Sequence, residues 1–186
     1  MNAVDVSPAS VATGACSVRR AAAGDRPALE RMLARCTGQT RYRRFHGPVK
    51  VFPERYLTEA LSGSPLHFAL VACAVDEAVV DDAADGSPMV DGTVVDGTIV
   101  ALASCRAVDE GVAEVGILVE DEWQHRGVGG HLLAEIVAYA HRTGLRALQA
   151  QVLADQPWIV GLLRRHGTCT VAGAGQALHV TLSLPR

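Results

Sequence analysis

The stretch Glu114-Val-Gly-Ile-Leu-Val-Glu-Asp-Glu-Trp-Gln124-His-Arg-Gly127-Val-Gly129-Gly-His-Leu-Leu133 decides how this chain is read. An apolar run ends at Val119, a polar turn follows, and a glycine cluster opens into a helical pattern. Glycine lets backbone approach a ligand closely, and the first amides of a helix have no internal acceptor, so the segment is suited to hold an anion. The helix dipole adds about 0.3 to 1 kcal/mol per negative group. A Walker loop requires Gly-Lys-Ser/Thr at the end of its glycine run, and no lysine stands there. A dinucleotide fingerprint requires a small residue at position 132, which is Leu, within an early βαβ unit. Two readings remain: a nest for a pyrophosphate on residues 124–129, or an ordinary glycine-rich turn between strand and helix.

Downstream, Leu132, Leu133, Ile136, Val137 and Ala140 share one helical face, and Gly144 stands where a C-cap belongs. Ala147 to Leu153 reads as a strand. Pro157 to His166 reads as a short helix with Ile159, Leu162 and Leu163 turned inward, and Thr168 to Ala172 and Ala177 to Leu184 as two last strands. Upstream, Val18 to Ala21 begins a strand, and Asp25 is placed to cap a helix carrying Leu29, Met32, Leu33 and Cys36 at i, i+3, i+4 and i+7. Gln39 to Gly47 reads as an Arg-rich connection, and Pro53 opens a helix through Tyr56, Leu57 and Leu61. His67 to Val75, residues 98–108 and Val112 to Val119 are three successive strands, the first apolar enough to be buried on both faces. The order β, α, α, three β, β-loop-α, β, α, two β is that of an α/β layer. Residues 1–16 read as a flexible tail and 17–186 as one domain. Between the second and third strands, residues 76–97 form a long acidic hairpin loop with a near-repeat of Val-Asp-Gly-Thr. Its seven acidic residues either attract a basic acceptor or are simply solvated.

A chain of 186 residues, 49% hydrophobic and 20% charged, suits one ordinary globular core. The net charge of −3 and the lack of a basic, aromatic-interleaved patch argue against nucleic acid as partner. Five scattered cysteines, with no CxxC and no Cys/His spacing, argue against both a disulfide framework and a metal site. The start of the chain is unlike a signal peptide and no stretch of about 18 apolar residues occurs, so no membrane is expected and the cytoplasm is the default location. The oligomeric state stays open, a homodimer included.

The run Gln124-His125-Arg126-Gly127-Val128-Gly129 is similar to the Gln/Arg-x-x-Gly-x-Gly/Ala signature of the Gcn5-related N-acetyltransferase (GNAT) family. Val119 stands five residues earlier, and Ala154-Asp-Gln156-Pro followed by Leu162-Leu-Arg-Arg-His-Gly167 resembles the family's strand-to-helix segment. Tyr42-Arg-Arg-Phe45 and Ala113 to Val119 resemble bacterial protein-lysine acetyltransferase domains, with His46 where those often have a second Phe. The resemblance implies the GNAT acyl-CoA N-acyltransferase fold, a mixed, mostly antiparallel central sheet flanked by helices. It also implies acetyl-CoA as co-substrate, no metal, and an amine acceptor on a protein lysine or a small molecule. The CoA-binding positions it carries over are Ile117, Leu118, Val119, Gln124, His125, Arg126, Gly127, Val128, Gly129, Gly130 and Gln156, with the amide of Ile117 or Val119 polarising the thioester. Glu114 matches the glutamate that serves related lysine acetyltransferases as general base; read from the strand alone, it is equally a surface glutamate. Many members protonate the leaving thiolate with a tyrosine where this chain has Leu163. A CoA-binding module that senses acyl-CoA without turnover is therefore the alternative.

Overall fold

The computed structural model describes residues 16–74, 97–173 and 175–185. The expected acidic hairpin at 76–97 lies outside the described residues except for Gly97, as does all of the expected tail except Cys16.

Among the described residues, seven strands form one sheet in the order β1-β2-β3-β4-β5-β7-β6. They are β1 Cys16–Arg20, β2 His67–Ala74, β3 Ile99–Asp109, β4 Val112–Val119, β5 Ala147–Leu153, β6 Thr168–Ala172 and β7 Ala177–Ser183. Every neighbouring pair is antiparallel except β4 and β5. Five α-helices among the described residues flank it: α1 Arg26–Arg35, α2 Gly38–Phe45, α3 Glu54–Leu61, α4 Val128–Thr143 and α5 Pro157–Arg164. The mixed α/β architecture expected from the sequence is the one observed.

Strand β2 is apolar after His67 because helices cover both faces of the sheet. Phe68, Leu70 and Ala72 enter the core under α4, while Ala69, Val71 and Cys73 enter a second core with Leu29, Met32 and Leu33 of α1 and Leu57 of α3. Helix α4 buries Val128, Leu132, Leu133, Ile136, Val137 and Ala140, and each large side chain contributes about 1.5 to 3 kcal/mol by leaving water. It stops at Gly144, whose φ of 74° is a left-handed conformation that glycine adopts freely.

Three local expectations are corrected. Residues 38–45 are a helix rather than a connection. Only Thr40 is buried in α2, so the segment has no apolar period to reveal it; it is held by a cap in which Thr37 Oγ1 accepts from Thr40 N–H at 3.2 Å. The Asp25 side chain makes no cap bond to α1: it accepts from Ala22 N–H and pairs through both oxygens with Arg19 at 2.7 Å. In α5 the fully buried residues are Val160 and Leu163, whereas Ile159 and Leu162 are only partly buried, since the inward face is turned by about one residue.

Candidate active site

Parallel pairing between β4 and β5 is confined to Val112–Glu114 against Ala147–Gln149. Beyond Glu114 the two strands separate, and a cleft of about 830 Å³ opens between them. Backbone groups of a sheet need partners, so a strand edge left open inside a fold is a binding surface in waiting. The orientation of that edge follows from the ladder with β3. Glu120 N–H donates to Val100 O at 2.9 Å, and antiparallel strands alternate the direction of their polar groups. The amides of Ile117 and Val119 therefore point away from β3, toward the cleft, while that of Val115 belongs to the last rung with β5.

The cleft runs on to the glycine turn and the start of α4. His125 (φ 59°) and Gly127 (φ 83°) both adopt left-handed backbone to make the turn. The first ladder bond of α4 is His131 N–H to Gly127 O at 3.0 Å, so the amides of Val128, Gly129 and Gly130 precede any intrahelical acceptor. A Cβ at Gly129 would stand 3.6 Å from Val119 Cγ2, and one at Gly130 the same distance from Leu162 Cδ1. Those are ordinary contacts, so protein packing does not demand glycine at either place, whereas close approach of a ligand does.

Of the predicted site residues, Glu114, Ile117, Leu118, Val119, Gln124, His125, Gly127, Val128, Gly129, Gly130 and Gln156 all line this cleft. Arg126 does not; its guanidinium lies 5.2 Å from the centre of the Trp123 ring. The Leu118 side chain is buried in the core on the α1 and α3 side. Gln124 braces the turn, its amide donating to Val119 O at 3.1 Å and Thr40 Oγ1 at 3.2 Å. Gln156 is buried at the N-cap of α5 and makes no side-chain cap bond. Leu163 is also buried, packed into the core under α4 and α5.

Even-numbered side chains of β4 point to the opposite face, over which α2 lies. Glu114 pairs across the ladder with Arg106 at 2.5 Å, and both side chains are about half exposed, at 44% and 52%. Beside them the Arg44 guanidinium packs on Gly116, where a Cβ would lie 2.3 Å from its Cζ, and its Nη2 donates to Tyr56 Oη and Ser104 Oγ at 3.0 and 3.1 Å. His46 Nδ1 meets Gln151 Oε1 at 2.8 Å and Arg43 meets Asp155 at 3.3 Å, so the end of α2 is tied to the β5 side of the cleft. Arg44 and His46 entered the sequence reading only through the resemblance at residues 42–46, not as site residues. A glycine inside a strand was the available signal, because it marks the close approach of another group.

Glu120 and Asp121, the two acids that follow β4, are structural. Glu120 is 5% exposed and takes two bonds from Arg35 at 2.7 and 2.8 Å. Asp121 accepts from Thr37 N–H, Thr37 Oγ1 and Thr40 Oγ1; burial opposes its charge, yet these bonds hold its carboxyl below the usual range. Burial pushes the thiols of Cys36 and Cys105 up to about 11 and about 12, so neither offers a thiolate nucleophile at neutral pH.

The profile of the acetyltransferase (GNAT) family matches residues 56–168, more than half of the chain. The chain belongs to that family. GNAT relatives also share its fold. The GNAT domain of S. lividans PAT superposes with a TM-score of 0.73 at 19% identity, covering 95% of this chain and 99% of that one. A GCN5-related N-acetyltransferase from Kribbella flavida gives 0.62 at 20% identity, covering 89% and 95%. The ribosomal-protein-S18-alanine N-acetyltransferase of Escherichia coli gives 0.59 at 16%, covering 91% and 93%. None of the curated proteins matches the chain. Among the described residues no helix is long and apolar enough to cross a membrane.

Proposed function

We propose that residues 17–186 form one catalytic domain that transfers the acetyl group of acetyl-CoA to a primary amine, on a protein lysine or a small molecule, in the cytoplasm. The observation that carries this reading is the open edge of β4 running into a helix start whose first three amides are free: one continuous row of donors, first neutral and then at the positive end of a dipole. A pantetheine amide chain suits the first part and a pyrophosphate the second. In this reading Ile117, Leu118, Val119, Gln124, His125, Gly127, Val128, Gly129, Gly130 and Gln156 hold CoA, and Arg126 adds positive charge beside the phosphates.

An alkylammonium acceptor has a pKa near about 10 and must lose a proton before its nitrogen can attack. Glu114, on the face of β4 opposite the core under α4, takes that proton. General-base help of this kind is worth about 10² to 10⁴ in rate. The amine nitrogen then forms its bond to the thioester carbon, guided by an amide at Ile117 or Val119, the carbon–sulfur bond breaks, and the thiolate leaves. Buried Leu163 offers no acid, so water protonates the thiolate, whose thiol pKa should lie near the free-cysteine value of about 8.5.

Leu163, together with the Arg106 pair that occupies Glu114, favours a second reading, an acyl-CoA sensor without turnover. Thiol release from acetyl-CoA with an amine panel separates the two. Turnover that falls in Glu114→Gln while CoA affinity is kept supports the transferase. Equal turnover in Glu114→Gln rejects Glu114 as base, and no thiol release with any acceptor favours the sensor.

A further inference from the structure

Arg44 brings a guanidinium to the wall of the cleft. Its neighbour Arg43 pairs with Asp155 and Arg106 with Glu114, whereas Arg44, like Arg41 on the same helix and Arg165 in the same cleft, has no carboxylate within ion-pair distance among the described residues. It lines the cleft, and its hydrogen bonds go to two neutral hydroxyls, one of them on Ser104, which is 4% exposed. Both bonds use Nη2, so its Nε–H and both N–H groups of Nη1 donate to no described residue. A planar guanidinium with an unused edge is shaped to receive a carboxylate through two parallel bonds.

Its position relative to Glu114 is fixed by the sheet. Arg44 packs over the Ser104–Gly116 rung, and the next rung on the same face is Arg106–Glu114. The two rungs are two residues apart along β4, about 7 Å. An ammonium and a carboxylate one or two carbons apart bridge such a spacing once each makes a charge-assisted bond of about 2.8 Å. The ties His46–Gln151 and Arg43–Asp155 cross from α2 to the β5 side and narrow the same mouth.

We infer that the acceptor is an amino acid carrying its carboxylate one or two carbons from the reacting amine, and that Arg44 binds that carboxylate. The inference rests on the proposed transfer at Glu114, and it favours a small acceptor over a lysine within a protein, whose side-chain amine has no neighbouring carboxylate. Gly116 belongs to the same device, since only a residue without a side chain lets the guanidinium lie against the strand.

The test uses matched pairs, glycine with glycinamide, β-alanine with its amide and larger α-amino acids with theirs, plus a lysine peptide with blocked ends. Binding to the CoA-saturated protein is measured by calorimetry, and kcat/KM by thiol release. The wild-type protein should prefer acids over amides by about 30-fold or more, as expected for bonds to a charged group. Arg44→Gln should reduce the preference below about threefold, and so should Gly116→Ala, whose methyl displaces the guanidinium without changing its charge. Acids and amides bound alike by the wild type, a preference that survives Arg44→Gln, or a lysine peptide preferred to every amino acid would each overturn the inference. Turnover of amines without acid preference overturns Arg44 alone and leaves the transferase standing. Acid binding that depends on Arg44, without thiol release, does the reverse.

Discussion

Alanine at Gly129 separates what the fold needs from what a ligand needs. The added Cβ would meet Val119 Cγ2 at 3.6 Å and Ile117 Cγ2 at 4.0 Å, both ordinary contacts, and Gly129 is not among the glycines with positive φ. Within a helix, alanine is favoured over glycine by about 0.5 to 1 kcal/mol. For a chain of this size that corresponds to a rise in Tm of about 1 to 4 °C. The same methyl enters the space above the amides of Val128, Gly129 and Gly130. Losing one bond to a charged phosphate, about 1.5 to 3 kcal/mol, weakens CoA binding by about 10- to 150-fold. Gly127→Ala is the counterpart: nothing lies within 4 Å, but its φ of 83° strains any side chain by about 1 to 2 kcal/mol, so its Tm falls. Thermal unfolding without ligand and calorimetric titration with CoA measure both effects. A Gly129→Ala protein that binds CoA within threefold of wild type, or unfolds several degrees lower, would refute the reasoning.

The Arg35–Glu120 pair should respond asymmetrically. Arg35→Met strands a carboxylate whose side chain is 7% exposed and should cost about 3 kcal/mol, whereas Glu120→Gln leaves an arginine that is 37% exposed and reaches water, and should cost about 1 kcal/mol; denaturant unfolding of both compares them. His67 is buried against the Tyr56 ring, and burial lowers its pKa from the usual 6.5 despite the nearby Glu59. Its unfolded form therefore binds the proton more readily, so stability is full above about 6.5 and falls as the pH drops below it; His67→Phe should flatten that part of the stability curve. Asp25, held low first by its bonds to Arg19, acts in a separate window: its contribution is full above its usual 3.8 and is lost at more acid pH, so Asp25→Asn should remove acid sensitivity only there.

The glycine turn, α4, and strands β4 to β6 were legible because their signals are local: glycine placement, a sustained apolar face, and apolar runs bounded by turn residues. Helix α2 was not, because what holds it is a Thr37 cap and a carboxylate more than eighty residues away, Asp121, rather than an apolar stripe of its own. The same non-locality hid Glu120, which reads as one more loop acid until Arg35 is brought against it. The cleft itself has no sequence signature. Pairing of β4 with β5 stops after three residues, and the alternation of β4 looks the same on either side of that point. The strand that carries Glu114 was legible, while its Arg106 partner and the Arg44 guanidinium over Gly116 emerged only with the cross-strand register.

The central claim is that one row of free backbone donors, along β4 and into α4, receives CoA. Amide hydrogen exchange with and without saturating CoA tests it residue by residue. Slowed exchange should be concentrated at Ile117 and Val119 and at Val128, Gly129 and Gly130, with Leu118, paired to β3, and Val115, in the last rung with β5, unchanged. CoA that leaves these five amides as fast as in the free protein, or that protects a different surface, would contradict the account.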